Sequence, residues 1–310
     1  MKKVIPVFLL FRQAFTSLQT NDPIRMAGAT AFFSFFALPP IIIILSSVLS
    51  QLFNDRYQRV SGQLFDELAD LFGPKSANQL EDISHRLQLP KPSLLLTVVS
   101  FVLLFMASTT LFTILKNSLN QLWNVKPKAG RGVLNVLTDK LIALAIILGS
   151  GLLFSTFLAV EQLMNQLGGA LALSSLAYYK GLVSMAHLVA SVLVRTVWFA
   201  LLFKFLPDVK IAWRAVWLGA FFTSCLFKLG EGVLNYLLID SQVGSLYGTA
   251  GAIILLLLFV FYASLIFYYG AAFTRRFSEW THLSAEPSNH AVAYTITEID
   301  PVESKNEGPN

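Results

Sequence analysis

The sequence predicts an all-α fold: a polytopic membrane protein of six transmembrane helices, with short amphipathic helices at the ends of the bundle. Three observations carry this. The run Leu246–Phe273 holds no Asp, Glu, Lys or Arg and is followed closely by Arg275 and Arg276. A helix rises about 1.5 Å per residue, so a run of this length crosses a hydrocarbon core of roughly 30 Å. Of 310 residues, 55% are hydrophobic and 13% charged, and the mean hydropathy is +0.62. That is too little charge to solvate a soluble surface of this size. Finally, sparsely charged runs recur at about Ala27–Leu49, Leu94–Leu115, Leu141–Val160, Gly181–Phe203 and Ala215–Leu238, giving six with the last.

Residues 1–22 precede the first span. Val4, Phe8, Phe11, Phe15 and Leu18 recur at three- and four-residue intervals, which predicts an amphipathic helix lying at the cytoplasmic interface. Asp22 is placed to cap the next helix, with Pro23 at its first position. The charged tip Lys2-Lys3 resembles that of a signal peptide, but Arg12 ends the apolar run and no convincing small-residue cleavage site follows. A retained N-terminus is expected.

Residues 23–276 form the expected six-helix domain. Pro39-Pro40 falls inside the first span; proline removes a backbone donor and clashes with the preceding turn, so the helix should kink or break there. The kink is either architectural or a hinge that lines a site. The extracytoplasmic loop 50–93 carries five basic and six acidic residues. Leu64, Phe65, Leu68, Leu71 and Phe72, then Leu80, Ile83 and Leu87, give two short amphipathic helices separated by Gly73-Pro74.

Basic residues fix the direction of threading. Lys2, Lys3, Arg12 and Arg25 precede span one; Lys116, Lys126, Lys128, Arg131 and Lys140 lie between spans two and three; Lys204, Lys210 and Arg214 lie between four and five. Residues 161–176 and 239–245 hold no Lys or Arg. Both termini therefore face the cytoplasm. The acidic residues and prolines of residues 277–310 predict a disordered cytoplasmic tail.

Three charged residues interrupt spans four and five. Arg195 sits near the middle of a span, where an isolated charge costs at least about 2.5–3.5 kcal/mol on insertion scales. It must snorkel, face a wet cavity or meet an acid. Glu231 is the natural partner across the helix pair, and Lys228, three residues earlier on the same face, competes for it. The three carry a net charge of +1, which would attract an anionic small molecule or a lipid headgroup. His187, two turns before Arg195, is a candidate fourth member of this polar path, or else a packing residue. The spacing Gly244, Gly248, Gly251 permits close helix approach at the start of span six, for packing or for a shift of the helix.

Several segments together resemble the YihY/BrkB inner-membrane family, over approximately Asp22–Phe273. They are Asp22 with Ala29, Phe32, Phe35 and Pro39; Leu119-Asn120-Gln121-Leu122-Trp123; Phe205-Leu206-Pro207-Asp208 with Trp213-Arg214 and Gly219-Ala220; and Tyr247-Gly248-Thr249-Ala250-Gly251 leading into Phe259-Val260-Phe261-Tyr262. The resemblance implies a six-helix protein of the bacterial envelope. Where the family usually ends its last span in Gly-Ala-Glu, this chain has Gly270-Ala271-Ala272, so a mechanism that needs that carboxylate is weakened here.

The family's historical label, ribonuclease BN, finds no chemistry in these residues. His85, His187, His282 and His290 are scattered, and no Walker A, dinucleotide turn or HExxH occurs. Cys225 stands alone, without a disulfide or thiolate site. Lys126–Arg131 is better explained by topology than by nucleic acid. A transporter or lipid-translocating protein is therefore expected, without cofactor, metal or catalysis, and with membrane lipids as partners. The competing class is a non-transporting envelope protein that acts through other proteins.

Overall fold

The computed structural model describes residues 7–36, 94–128, 149, 177–234, 251–283 and 285–295. Besides the single helical residue 149, these form six helices and four short strands. In chain order they are α1 (Val7–Gln19), α2 (residues 23–36), α3 (Leu94–Leu122), β1 (Val125–Pro127), α4 (Ala177–Phe205), β2 (Val209–Ile211), α5 (Trp213–Leu234), α6 (Gly251–Trp280), β3 (Ala285–Pro287) and β4 (Ala291–Ala293).

The described residues are almost entirely helical, but not wholly so. β1 pairs antiparallel with β4, Lys126 opposite Val292, and β2 with β3, Lys210 opposite Glu286. Much of 277–295 is thus ordered, whereas composition predicts disorder from 277. Phe277–Trp280 complete α6, and residues 285–293 make an open hairpin, whose strands pair outward with β2 and β1 and not with each other. Long-range strand pairing and the side-chain bonds described below offset the entropy of ordering this polar segment. Residues 296–310 of the expected tail lie outside the described residues.

Among the described residues, two helices are long and apolar enough to cross a bilayer, within Leu188–Phe205 of α4 and Leu256–Trp280 of α6. This is fewer than the six expected. Spans one and three run beyond the described residues, and the two expected loop helices within 50–93 lie outside them. α3 is a continuous helix of 29 residues over span two, with several side chains outside the described set. α5 carries Lys228 and Glu231 inside its apolar run.

Helix ends are built locally. Asn124 and His282 take positive φ, 51° and 52°, just past α3 and α6. At the second, Leu283 N–H bonds Ser278 O and His282 N–H bonds Glu279 O, the paired closure that satisfies a helix's last carbonyls. Asp22 holds the expected cap position, with Pro23 first in α2, and its carbonyl accepts from Met26 N–H. Its φ, however, is 54°, and its carboxylate lies 3.7 Å from Arg25. Asn21 closes α1, its side chain donating to Ser17 O at 2.7 Å.

α4, α5 and α6 pack side by side, α1 lies on α6, and α3 meets α6 only lightly. The expected amphipathic α1 is present, but its packed face is Leu10, Ala14, Ser17 and Leu18, while Phe8 and Phe15 remain 76% and 51% exposed. Tyr269 donates to Phe11 O at 3.2 Å, which ties α1 to the last helix. The main core sits at the strand-bearing end, where Leu119, Leu122, Phe203, Leu206, Ile211, Val216 and Tyr268 are buried. Towards its other end α3 exposes Leu95, Val98, Val102, Phe105 and Met106.

α5 and α6 approach closely through glycine. A Cβ on Gly219 would fall 1.8 Å from Thr274 Oγ1, one on Gly270 would fall 1.9 Å from Thr223 Oγ1, and one on Gly230 would fall 1.6 Å from the Tyr262 hydroxyl. Each threonine folds its hydroxyl onto its own helix, Thr223 to Gly219 O and Thr274 to Gly270 O, both at 2.7 Å. Two Gly-x-x-x-Thr stretches therefore interlock without stranding a hydroxyl in apolar surroundings.

Candidate functional site

Spans four and five bring the expected charges together. Arg195 Nη2 on α4 meets Glu231 Oε2 on α5 at 3.1 Å, and Lys228 Nζ reaches the same oxygen at 3.3 Å. The interhelical and local solutions thus coexist. The guanidinium also stands over the Phe227 ring, 5.7 Å from its centre, and Phe227 in turn contacts Phe199 and Phe259. Such a stack supports a cation in an apolar setting. Ser224 donates to Val192 O at 2.9 Å and joins the same two helices.

The cluster is not saturated. Arg195 Nη1 is buried with no hydrogen-bond partner among the described residues, and one carboxylate serves two cations. Leaving a buried donor unpaired costs about 1–3 kcal/mol, and more for a charged group.

His187 lies on α4, but its side chain is outside the described residues, and Pro39, Pro40, Gly244 and Gly248 are outside them altogether. Gly251 opens α6. The close helix approach that the structure does describe comes from Gly219, Gly230 and Gly270. Ala272 is fully buried in the main core, so a glutamate there would enter an apolar environment.

A second polar cluster escapes sequence reasoning. Asp208, in the turn after α4, is 4% exposed. Its Oδ1 pairs with Lys116 Nζ at 3.0 Å and with His290 Nε2 at 3.0 Å; its Oδ2 accepts from Asn120 Nδ2 at 2.9 Å. Its own N–H donates to Asn120 Oδ1 at 2.8 Å, and its carbonyl accepts from Ser288 N–H at 2.9 Å. Burial alone would raise the Asp208 pKa, but the Lys116 charge and hydrogen bonds from Lys116, Asn120 and His290 prevail and hold it below the usual carboxylate range.

Around this carboxylate the hairpin is fastened to both loops. Lys128 Nζ donates to Asn289 O at 2.9 Å and Lys210 Nζ to Asn289 Oδ1 at 3.0 Å. A cleft of about 420 Å³ lies beside the cluster, lined by Asn117, Gln121, Lys126 and Tyr294 among others. Among the described residues no three His, Cys, Asp or Glu side chains converge as metal ligands.

Long apolar helices, a charged pair between two of them and a polar cap at one end define a helical membrane protein with transmembrane segments. The model of the family described as virulence factor BrkB matches residues 14–294, and the chain belongs to this YihY/BrkB membrane protein family. That match runs through the hairpin, beyond the segments that carry the resemblance in sequence. Among curated relatives, the UPF0761 membrane protein of Alcanivorax borkumensis is 26% identical over 273 residues, covering 86% of this chain and 60% of the relative. Its counterpart in Chromohalobacter salexigens is 24% identical over 279 residues, covering 87% and 65%. That of Tolumonas auensis is 26% identical over 264 residues, covering 82% and 80%. The chain thus spans less than two thirds of the length of the first two. No solved structure matches it.

Proposed function

We propose that the chain is a transporter or lipid-translocating protein of the bacterial inner membrane, with six spans and both termini in the cytoplasm. The observation that carries this reading is the buried Nη1 of Arg195, without a partner among the described residues, beside a carboxylate shared with Lys228. A purely structural ion pair within a bundle gains from having every donor satisfied, because each unpaired one is expensive at low dielectric. Here a donor is held ready for an anionic group, a lipid phosphate or a small anion. Arg195 would bind that group, Lys228 would assist, and Glu231 would restrain the arginine between visits.

The direction of threading rests on Lys126, Lys128, Lys204, Lys210, Arg275 and Arg276, which gather at the strand-bearing end. Phe8 and Phe15, exposed on α1, fit a helix half-sunk in the interface. The test is reconstitution in liposomes with a fluorescent lipid-scrambling assay and an anion-flux assay, comparing the native chain with Arg195→Ala and Glu231→Ala. The native chain should move one of the two probes, and both variants should lose that movement. Unchanged rates in both variants would sink the reading.

A further inference from the structure

The geometry points to the C-terminal hairpin 285–295 as a latch that holds the strand-bearing end of α3 against that of α4, and whose release lets those two helix ends separate. This rests on contacts at the helix ends and not on the transport reading.

α3 and α4 do not pack extensively along their lengths among the described residues. What joins them is concentrated at one end. From α3 come Lys116 and Asn120; from the turn after α4 comes Asp208, which both of them grip. The hairpin then bridges the same two places a second time. β4 pairs with β1, which follows α3, and β3 pairs with β2, which follows α4. His290 and Ser288 plug the bridge into Asp208 itself, and Asn289 draws in Lys128 from one loop and Lys210 from the other.

The character of these contacts suits a strap that opens. Of the hairpin residues only Ala291 is buried, while Ala285, Glu286, Asn289, Ala293 and Thr295 are exposed. Docking therefore depends on two three-residue ladders and on polar side chains that water can replace. Local opening of such a segment costs far less than global unfolding, because little apolar surface is uncovered. Among the described residues the bundle grips α3 at its strand-bearing end, where Leu119 and Leu122 are buried with Phe203 and Leu206.

The experiment measures the separation of α3 and α4 by double electron–electron resonance. Spin labels are placed at Thr113→Cys on α3 and Phe205→Cys on α4, both exposed positions, in a Cys225→Ala background in nanodiscs. With the full chain the labels should give one narrow distance. Truncation after Leu283 should add a longer population, and His290→Ala should add a smaller one. A truncated chain that keeps the native distance overturns the latch. If truncation unfolds the helices by circular dichroism, the decision passes to His290→Ala and to Lys210→Ala with Asn289→Ala. An unchanged distance in both, with native helicity, overturns it equally.

Discussion

The two charged clusters of this molecule are built from similar parts and finished differently. At the strand-bearing end, one carboxylate, Asp208, is met by Lys116, Asn120 and His290, and its own backbone groups are bonded as well. Between α4 and α5, one carboxylate, Glu231, is met by Arg195 and Lys228, and the arginine keeps a buried nitrogen without a partner among the described residues. A saturated network fixes geometry; an unsaturated one leaves an interaction available. The first therefore reads as a fastening, and the second is where the proposed anion site would lie.

Breaking the fastening should have the largest effect. Asp208→Ala takes the carboxylate away from a buried Lys116, and removing one partner of such a pair costs about 3–5 kcal/mol, read as a lower unfolding midpoint in detergent. At the other cluster the triple change Arg195→Met, Lys228→Met and Glu231→Leu should cost little stability, because apolar residues of similar volume often replace a buried ionic group neutrally. It should nevertheless abolish movement in the reconstituted assays. Equal destabilisation by the two sets of changes would erase the distinction between the clusters.

Between these extremes lies the α5–α6 contact. Gly219→Ala and Gly270→Ala each push a methyl group into a threonine, and overpacking of this kind costs about 1–3 kcal/mol, again read from the unfolding midpoint. Thr30→Val, which removes the 2.7 Å bond to the Tyr268 hydroxyl, should cost about 1 kcal/mol by the same measurement. The smallest effect concerns pH. Because the Asp208 pKa is lowered in the folded state, its contribution is fully present above the usual carboxylate range and is lost as pH falls through its lowered value. Protection of the hairpin amides from hydrogen exchange should therefore show no step from this group between neutral and mildly acidic pH, and weaken only in strong acid. Protection lost as pH falls from neutral to mildly acidic values, with no such loss in Asp208→Asn, would contradict this.

The helices are legible in the sequence because apolar runs are long and local. So is the Arg195–Glu231 pair, since few charges lie inside the spans and oppositely charged ones must find each other. The hairpin is not legible. Each strand is only three residues long, too short for an alternating pattern, and Val125 pairs with Ala293 far along the chain. Nor does local spacing bring Asn120, Asp208 and His290 together; that Asn120 and Asp208 stand inside family-like segments is the one available hint. On α1 the three- and four-residue spacing identifies a helix whose Phe8 and Phe15 stay exposed, but it does not reveal the second face, where Leu10 and Ala14 pack with Phe273. Small-residue spacing draws notice to Gly244 and Gly248, whereas Gly219 and Gly270 need the facing threonine to reveal their purpose.

The interlocked Gly219–Thr274 and Gly270–Thr223 contacts also limit what the last two helices can do. A peg seated in a socket on each side admits one alignment, so a stroke of one helix along the other would drive both pegs into the walls. Across this contact α5 and α6 travel as a single strut, and a change of shape among the described helices has to be sought in those that lean on it.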